Sequence, residues 1–168
     1  RFLSVLAEAD PKATLRCIER TYGGWSKEKL RSWDTGRQSI VWALEKIAVW
    51  PNTFKGAARM LLKLGKTETS NHSNNGSGMF SGLFSLAYGP VAPTEATPQQ
   101  RLPVLDEALK SKDIDERRLG LKACETALST YGGFRIVGAE YQGLKPVAKL
   151  WMPKTYVEIF DAYRAVWN

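Results

Sequence analysis

Apolar residues recur with the period of an α-helix along most of this chain, and a proline stands where one such run must give way to the next. From 37 to 49 the set Ile40, Val41, Leu44, Ile47 and Ala48 falls at i, i+1, i+4, i+7 and i+8, one face of a helix. Pro51 cannot continue that helix but can open another, because a first-turn proline forfeits no hydrogen bond. Beyond it Phe54, Ala57, Ala58, Leu61 and Leu62 repeat the spacing. The stretch 37–64 therefore reads as a helical hairpin with a very short joint and antiparallel helices.

The same plan returns. Leu102, Leu105 and Leu109 mark a helix opened near Pro98 and Gln99; SKDIDE turns the chain, and Leu119, Ala123, Cys124, Ala127 and Leu128 mark its partner. Asp10 followed by Pro11 is an N-cap and a first-position proline, giving a helix through Leu15, Ile18 and Tyr22. Near the end Pro153 opens a helix whose face is Tyr156, Ile159, Phe160, Tyr163 and Trp167. Strand signals are confined to 134–139. Paired amphipathic helices predict an all-α fold, an irregular α-solenoid of stacked antiparallel pairs, with a single globular bundle as the alternative. One long ordered loop is expected near 131–153. The chain reads as one helical-repeat domain, 1–168; beginning on Arg1 rather than Met, it is expected to be a fragment of a longer chain. End repeats of such a stack leave apolar faces, here near Phe2–Leu6 and Val157–Trp167.

Chemistry is harder to find. The ending Gly65-Lys66-Thr67 invites a phosphate-loop reading, but that motif needs glycine at 60, where Met60 stands. Gly65 reads instead as a helix terminator. The polar stretch SNHSNNGSGMF, 70–80, holds the chain's one histidine, His72. No G-x-S-x-G elbow surrounds it, because Phe80 occupies the centre of GMFSG, and one histidine cannot build a multi-histidine metal site. With Met79, Phe80, Leu83 and Phe84 at helical spacing after it, the stretch reads as an ordered connection. Asn74, Asn75 or Ser77 caps the next helix and Gly76 takes a left-handed turn. Its polar groups His72, Asn74 and Asn75 are candidate binding contacts, as are Arg135, Glu140 and Gln142 of the long loop; the competing reading is that they satisfy backbone groups. Cys17 and Cys124 lie far apart among apolar residues, so both read as buried thiols in a reducing cytosol. No catalytic residue, cofactor or metal site is expected.

Charge gives the sharpest asymmetry. Residues 1–66 hold 13 Lys and Arg against 6 Asp and Glu, whereas residues 67–168 hold 11 of each, so the whole net charge of +7 lies in the first part. Lys12, Arg16, Arg20, Lys27, Lys29, Arg31 and Arg37 lie there with Tyr22, Trp25 and Trp33 among them. Arg16 and Arg20 are one helical turn apart and can face a common ligand. Nucleic-acid phosphates suit such a face; a solvated surface, or one that docks other parts of the parent protein, is the competing reading.

The stretch 105–129, LDEALKSKDIDERRLGLKACETALS, resembles a HEAT-type repeat: a leucine-marked helix, an acidic turn, paired arginines and an Ala/Leu-rich second helix in that order. It departs by placing Arg117 where an aliphatic residue is usual. The fuller string, from RQSIVWALEKIAVWP through SNNGSGMFSGLF to GAEYQGLKP and PKTYVEIFDAYRAVW, resembles helical-repeat segments of large multidomain bacterial proteins. Some of those pair their repeats with a STAND-type NTPase module. The resemblance implies a cytoplasmic, non-catalytic interaction or sensor module that recognises proteins or neighbouring domains, with the chemistry elsewhere. The alternative function is a nucleic-acid-binding helical repeat using the basic first third.

Overall fold

Local signals place most of the helix starts. The computed structural model describes residues 2–69, 72–86, 93–129 and 141–168, which contain nine helices and no strand. In chain order they are α1 (Phe2–Ala9), α2 (Pro11–Tyr22), α3 (Lys27–Ser32), α4 (Arg37–Ala48), α5 (Pro51–Gly65), α6 (Gly76–Gly82), α7 (Pro98–Leu109), α8 (Ile114–Leu128) and α9 (Tyr156–Trp167). The all-helical expectation is met. No described helix is long and apolar enough to cross a membrane.

Caps follow the sequence closely. The Asp10 carboxylate accepts the Ala13 N–H at 2.9 Å, with Pro11 in the first turn of α2. Pro51 opens α5 in the same way, and α4 and α5 pack against each other across Val49 and Trp50. The pair α7 and α8 packs likewise, and Asp113 caps α8 by accepting the Asp115 N–H at 2.9 Å. Arg117, the residue unlike a HEAT-type repeat, donates to the Ser111 carbonyl at 2.7 Å and closes the α7–α8 turn.

Helix α5 is the centre. It touches α2, α4, α6, α7 and α8, and buries Phe54, Ala57, Ala58, Met60, Leu61, Leu62 and Leu64. One continuous apolar cluster runs from Ala7 and Ile18 through Leu44 and Phe54 to Phe80, Leu105, Ala123 and Ile159. Each large side chain so buried contributes about 1.5–3 kcal/mol of transfer free energy. The α4–α5 joint is tied to the rest by a non-helical seam. The Val49 carbonyl accepts from Glu95 N (2.9 Å) and Thr94 Oγ1 (3.0 Å), and Thr94 O accepts from Trp151 N (2.8 Å).

Arg101 is buried whole in this interior, at 1% exposure. Its guanidinium donates to the carbonyls of Ala96 (2.7 Å), Ser85 (2.8 Å) and Leu83 (3.3 Å), and lies 5.4 Å from the Trp151 ring. Burial pushes its pKa down to about 9, so it stays a cation at neutral pH.

Four expectations are corrected. Helix α9 starts at Tyr156, not Pro153, because the Thr155 hydroxyl accepts the Glu158 N–H while Glu158 reaches back to the Lys154 N–H. Its buried residues are Ile159 and Ala162, and Tyr156, Phe160 and Trp167 of the expected face are exposed. Gly76 is helical rather than left-handed; the positive-φ glycines among the described residues are Gly36 and Gly143. The cysteines are not both buried: Cys17 is exposed, since it points off the buried stripe Thr14, Leu15 and Ile18 of α2, and Cys124 is half-buried. The extended piece expected at 134–139 lies outside the described residues.

Candidate functional site

The basic face separates into two populations once the chain is folded. On α2, Thr14, Leu15 and Ile18 turn inward, which leaves Lys12, Arg16 and Arg20 on the exposed side at i, i+4 and i+8. Arg16 and Arg20 border a surface trough of about 510 Å³ whose other lining residues are the small Ala13, Cys17 and Thr21. None of the three cations forms an ion pair among the described residues.

Most of the other cations are committed elsewhere. Lys27 bonds Asp115 at 2.5 Å and lies 4.0 Å from Asp113 on α8. Lys29 sits over the Trp25 ring at 4.1 Å, and Arg31 is exposed. Arg37 points inward. It donates to Leu30 O, Leu64 O and Thr67 Oγ1, each at 2.6 Å, and through Nε to Glu68 at 2.9 Å. It therefore joins the ends of α3 and α5 and is engaged within the fold rather than turned to a surface ligand. The aromatic residues are also engaged with one another. Tyr22 stacks on Trp33 at 4.8 Å, and Trp25 meets both edge-on at 4.8 and 5.5 Å.

The polar loop candidates are not brought together. His72 and Asn74 are exposed, and the Asn74 carbonyl accepts from Gln38 Nε2 at 2.6 Å. Asn75 is buried as the cap of α6, its Oδ1 accepting from Gly78 N (3.1 Å) and Ser77 Oγ (2.7 Å). Gln142 is buried and donates to the Lys46 carbonyl at 3.3 Å. Arg135 and Glu140 lie outside the described residues. The Gly65-Lys66-Thr67 string ends α5: Thr67 Oγ1 bonds Leu64 O, and Lys66 pairs with Glu116 and Asp113. No group of three or more His, Cys, Asp or Glu among the described residues is placed to hold a metal ion.

Sequence reading missed the acidic counterpart of the basic segment. Asp113, Asp115 and Glu116 at the start of α8 clamp Lys27 and Lys66, and Glu107 of α7 holds Arg59 (2.7 Å) and Lys55 (3.4 Å). The run DIDER held the carboxylates, but nothing local says which lysines, tens of residues away, they meet. The Lys27 ammonium holds the Asp115 carboxyl below its ordinary value near 3.8. Burial alone would raise Asp113, yet the Asp115 N–H and Lys66 outweigh it and lower it too. Groups with depressed folded pKa values contribute stability above their unfolded values and lose it as pH falls through the folded ones. The expected melting temperature is therefore flat from about pH 5 to 7 and declines below about pH 4. Asp115→Asn should flatten part of that decline; an acid limb identical in the variant would remove these pairs from the account.

Compared with known proteins, the chain matches no family model, no curated protein and no solved structure.

Proposed function

We propose that this chain is a non-catalytic helical-repeat module that recognises other proteins or neighbouring domains, built as an irregular HEAT-like α-solenoid. The observation that carries the reading is the contrast between its interior and terminal helices. Helix α5 is packed against five neighbours, whereas α1 leaves Phe2 (81%), Val5 (59%) and Leu6 exposed, and α9 leaves Val157 (65%), Phe160 and Trp167 (79%) exposed. Large apolar side chains clustered on exposed helix faces are contact surfaces more often than solvated ones. In a stack of helix pairs they are the faces on which a next element sits. The hairpins α4–α5 and α7–α8 are the pairs from which such a stack is made.

Sedimentation of the chain with and without Val5→Glu/Val157→Glu tests this. The expected result is apolar-dye binding and association at high concentration in the native chain. Both should fall in the variant, whose melting temperature moves by no more than about 4 °C, because exposed substitutions cost about 0.5 kcal/mol each. A monomer that binds no dye, or a variant destabilised like a core replacement, overturns the reading.

A further inference from the structure

We propose that the outer stripe of α2, Lys12, Arg16 and Arg20, is a binding surface for the sugar–phosphate backbone of nucleic acid, independent of the apolar end faces. Many cations elsewhere meet carboxylates: Arg37 with Glu68, Lys46 with Glu8, Arg59 with Glu107, Lys66 with Glu116, Lys110 with Asp106 and Arg164 with Asp161. The α2 stripe has no such partner among the described residues. The two carboxylates nearest in sequence are turned to other tasks. Asp10 caps α2 through the Ala13 N–H, and Glu19 lies over Gly56 of α5.

Three like charges at i, i+4 spacing repel one another by about 0.2–0.5 kcal/mol per pair, and none of the three has a carboxylate partner among the described residues to offset it. A bound polyanion does. At a rise of about 1.5 Å per residue the three side chains are set about 6 Å apart along a straight line, a separation comparable to that of successive phosphates. Between the arginines the trough floor is made of Ala13, Cys17 and Thr21, small enough for a phosphate backbone to approach the helix.

The chemistry of the face selects this partner over an acidic protein. A protein interface draws its affinity from buried aromatic and aliphatic anchors, and the residues at 12, 13, 16, 17, 20 and 21 include no large apolar side chain. Trp25 and Trp33 are occupied by each other and by Tyr22, so base stacking contributes nothing here. Recognition is consequently electrostatic and independent of sequence, with single strands and duplexes both bound.

Fluorescence anisotropy of the chain with a labelled 20-mer DNA duplex tests the proposal. Three phosphates neutralised give a slope of log affinity against log salt near −2.7, hence an affinity about 40-fold lower at about 200 mM salt than at about 50 mM. Arg16→Glu/Arg20→Glu should abolish binding, with an unchanged melting curve. Lys110→Glu/Arg164→Glu, which removes the same net charge on α7 and α9, should retain it. Cys17, exposed in the trough, gives a second readout in the native chain: bound DNA should slow its alkylation and leave that of Cys124 unchanged. No binding at about 50 mM salt overturns the proposal. So does equal loss in the two double variants, an unprotected Cys17, or tighter binding to polyglutamate or anionic vesicles than to the oligonucleotide.

Discussion

Arg37→Ala is expected to lower the melting temperature by about 10 °C, one of the two largest effects of any single substitution considered. The guanidinium is mostly buried, and its partners come from three places in the chain: the Leu30 carbonyl in the last turn of α3, the Leu64 carbonyl at the end of α5, and Thr67 and Glu68 in the turn beyond. Helix ends leave carbonyls short of intrahelical partners, and one planar fork of N–H groups here reaches the ends of both helices. Removing it strands the Leu30 carbonyl and the half-buried Glu68 carboxylate, while the Leu64 carbonyl keeps only the Thr67 N–H and hydroxyl. Breaking such a pair from one side costs about 3–5 kcal/mol, and in a chain of this length each kcal/mol moves the midpoint by about 2–4 °C. Arg37→Lys should recover little, because a single ammonium cannot reach carbonyls on two helices at once. Glu68→Gln in the Arg37→Ala background should recover part, since it removes the uncompensated charge. A thermal melt of the three variants checks the ordering; a midpoint within about 2 °C of the native chain for Arg37→Ala would contradict it.

Gly65→Val is the second. A Cβ at Gly65 would lie 2.9 Å from both Cα and N of Ser77, and one at Gly76 would lie 3.0 Å from Gly65 N. The end of α5 and the start of α6 touch backbone to backbone there, so no side chain can swing aside to make room. Overpacking a core against flexible side chains costs about 1–3 kcal/mol. Against backbone the upper end, about 3 kcal/mol, is expected, with a loss of about 6–12 °C. Gly65→Ala should lie between it and the native chain. Proteolysis within 66–75 should rise in the valine variant, because α6 must move away from α5 and that connection spans the gap. A valine variant as stable as the native chain would mean the two helices slide apart freely.

These two residues mark where reading the sequence stops being sufficient. Gly65 was legible as a helix end, and α5 does end on it; that the absent side chain also admits another helix was not, because the partner backbone lies eleven residues on. Arg37 stood in the sequence as one more cation of a basic segment, and Lys27 did too. Folding turned both to acceptors and carboxylates and left Lys12, Arg16 and Arg20 on one outward stripe, with Arg31 exposed apart from it. Arg101 gave no sign of its burial, since a polar residue in PQQRLP carries no periodic signal. Of the polar loop contacts, Asn75 was foreseen as one of three candidate caps for α6, and that capping is the role the structure gives it.

Caps, proline positions and the 3.6-residue spacing of apolar side chains act within one or two turns, so the sequence by itself determined where α2, α4, α5, α7 and α8 lie, that the described chain is helical, and which stripe α4 and α5 bury. Which charges remain free is a different kind of quantity. It depends on side chains brought together from positions as far apart as Lys27 and Asp115, 88 residues from each other, and no local rule reaches across that distance. Tertiary packing decided it: placing α8 beside α5 delivered carboxylates to Lys27 and Lys66, while the outer side of α2, exposed among the described residues, kept its positive charge.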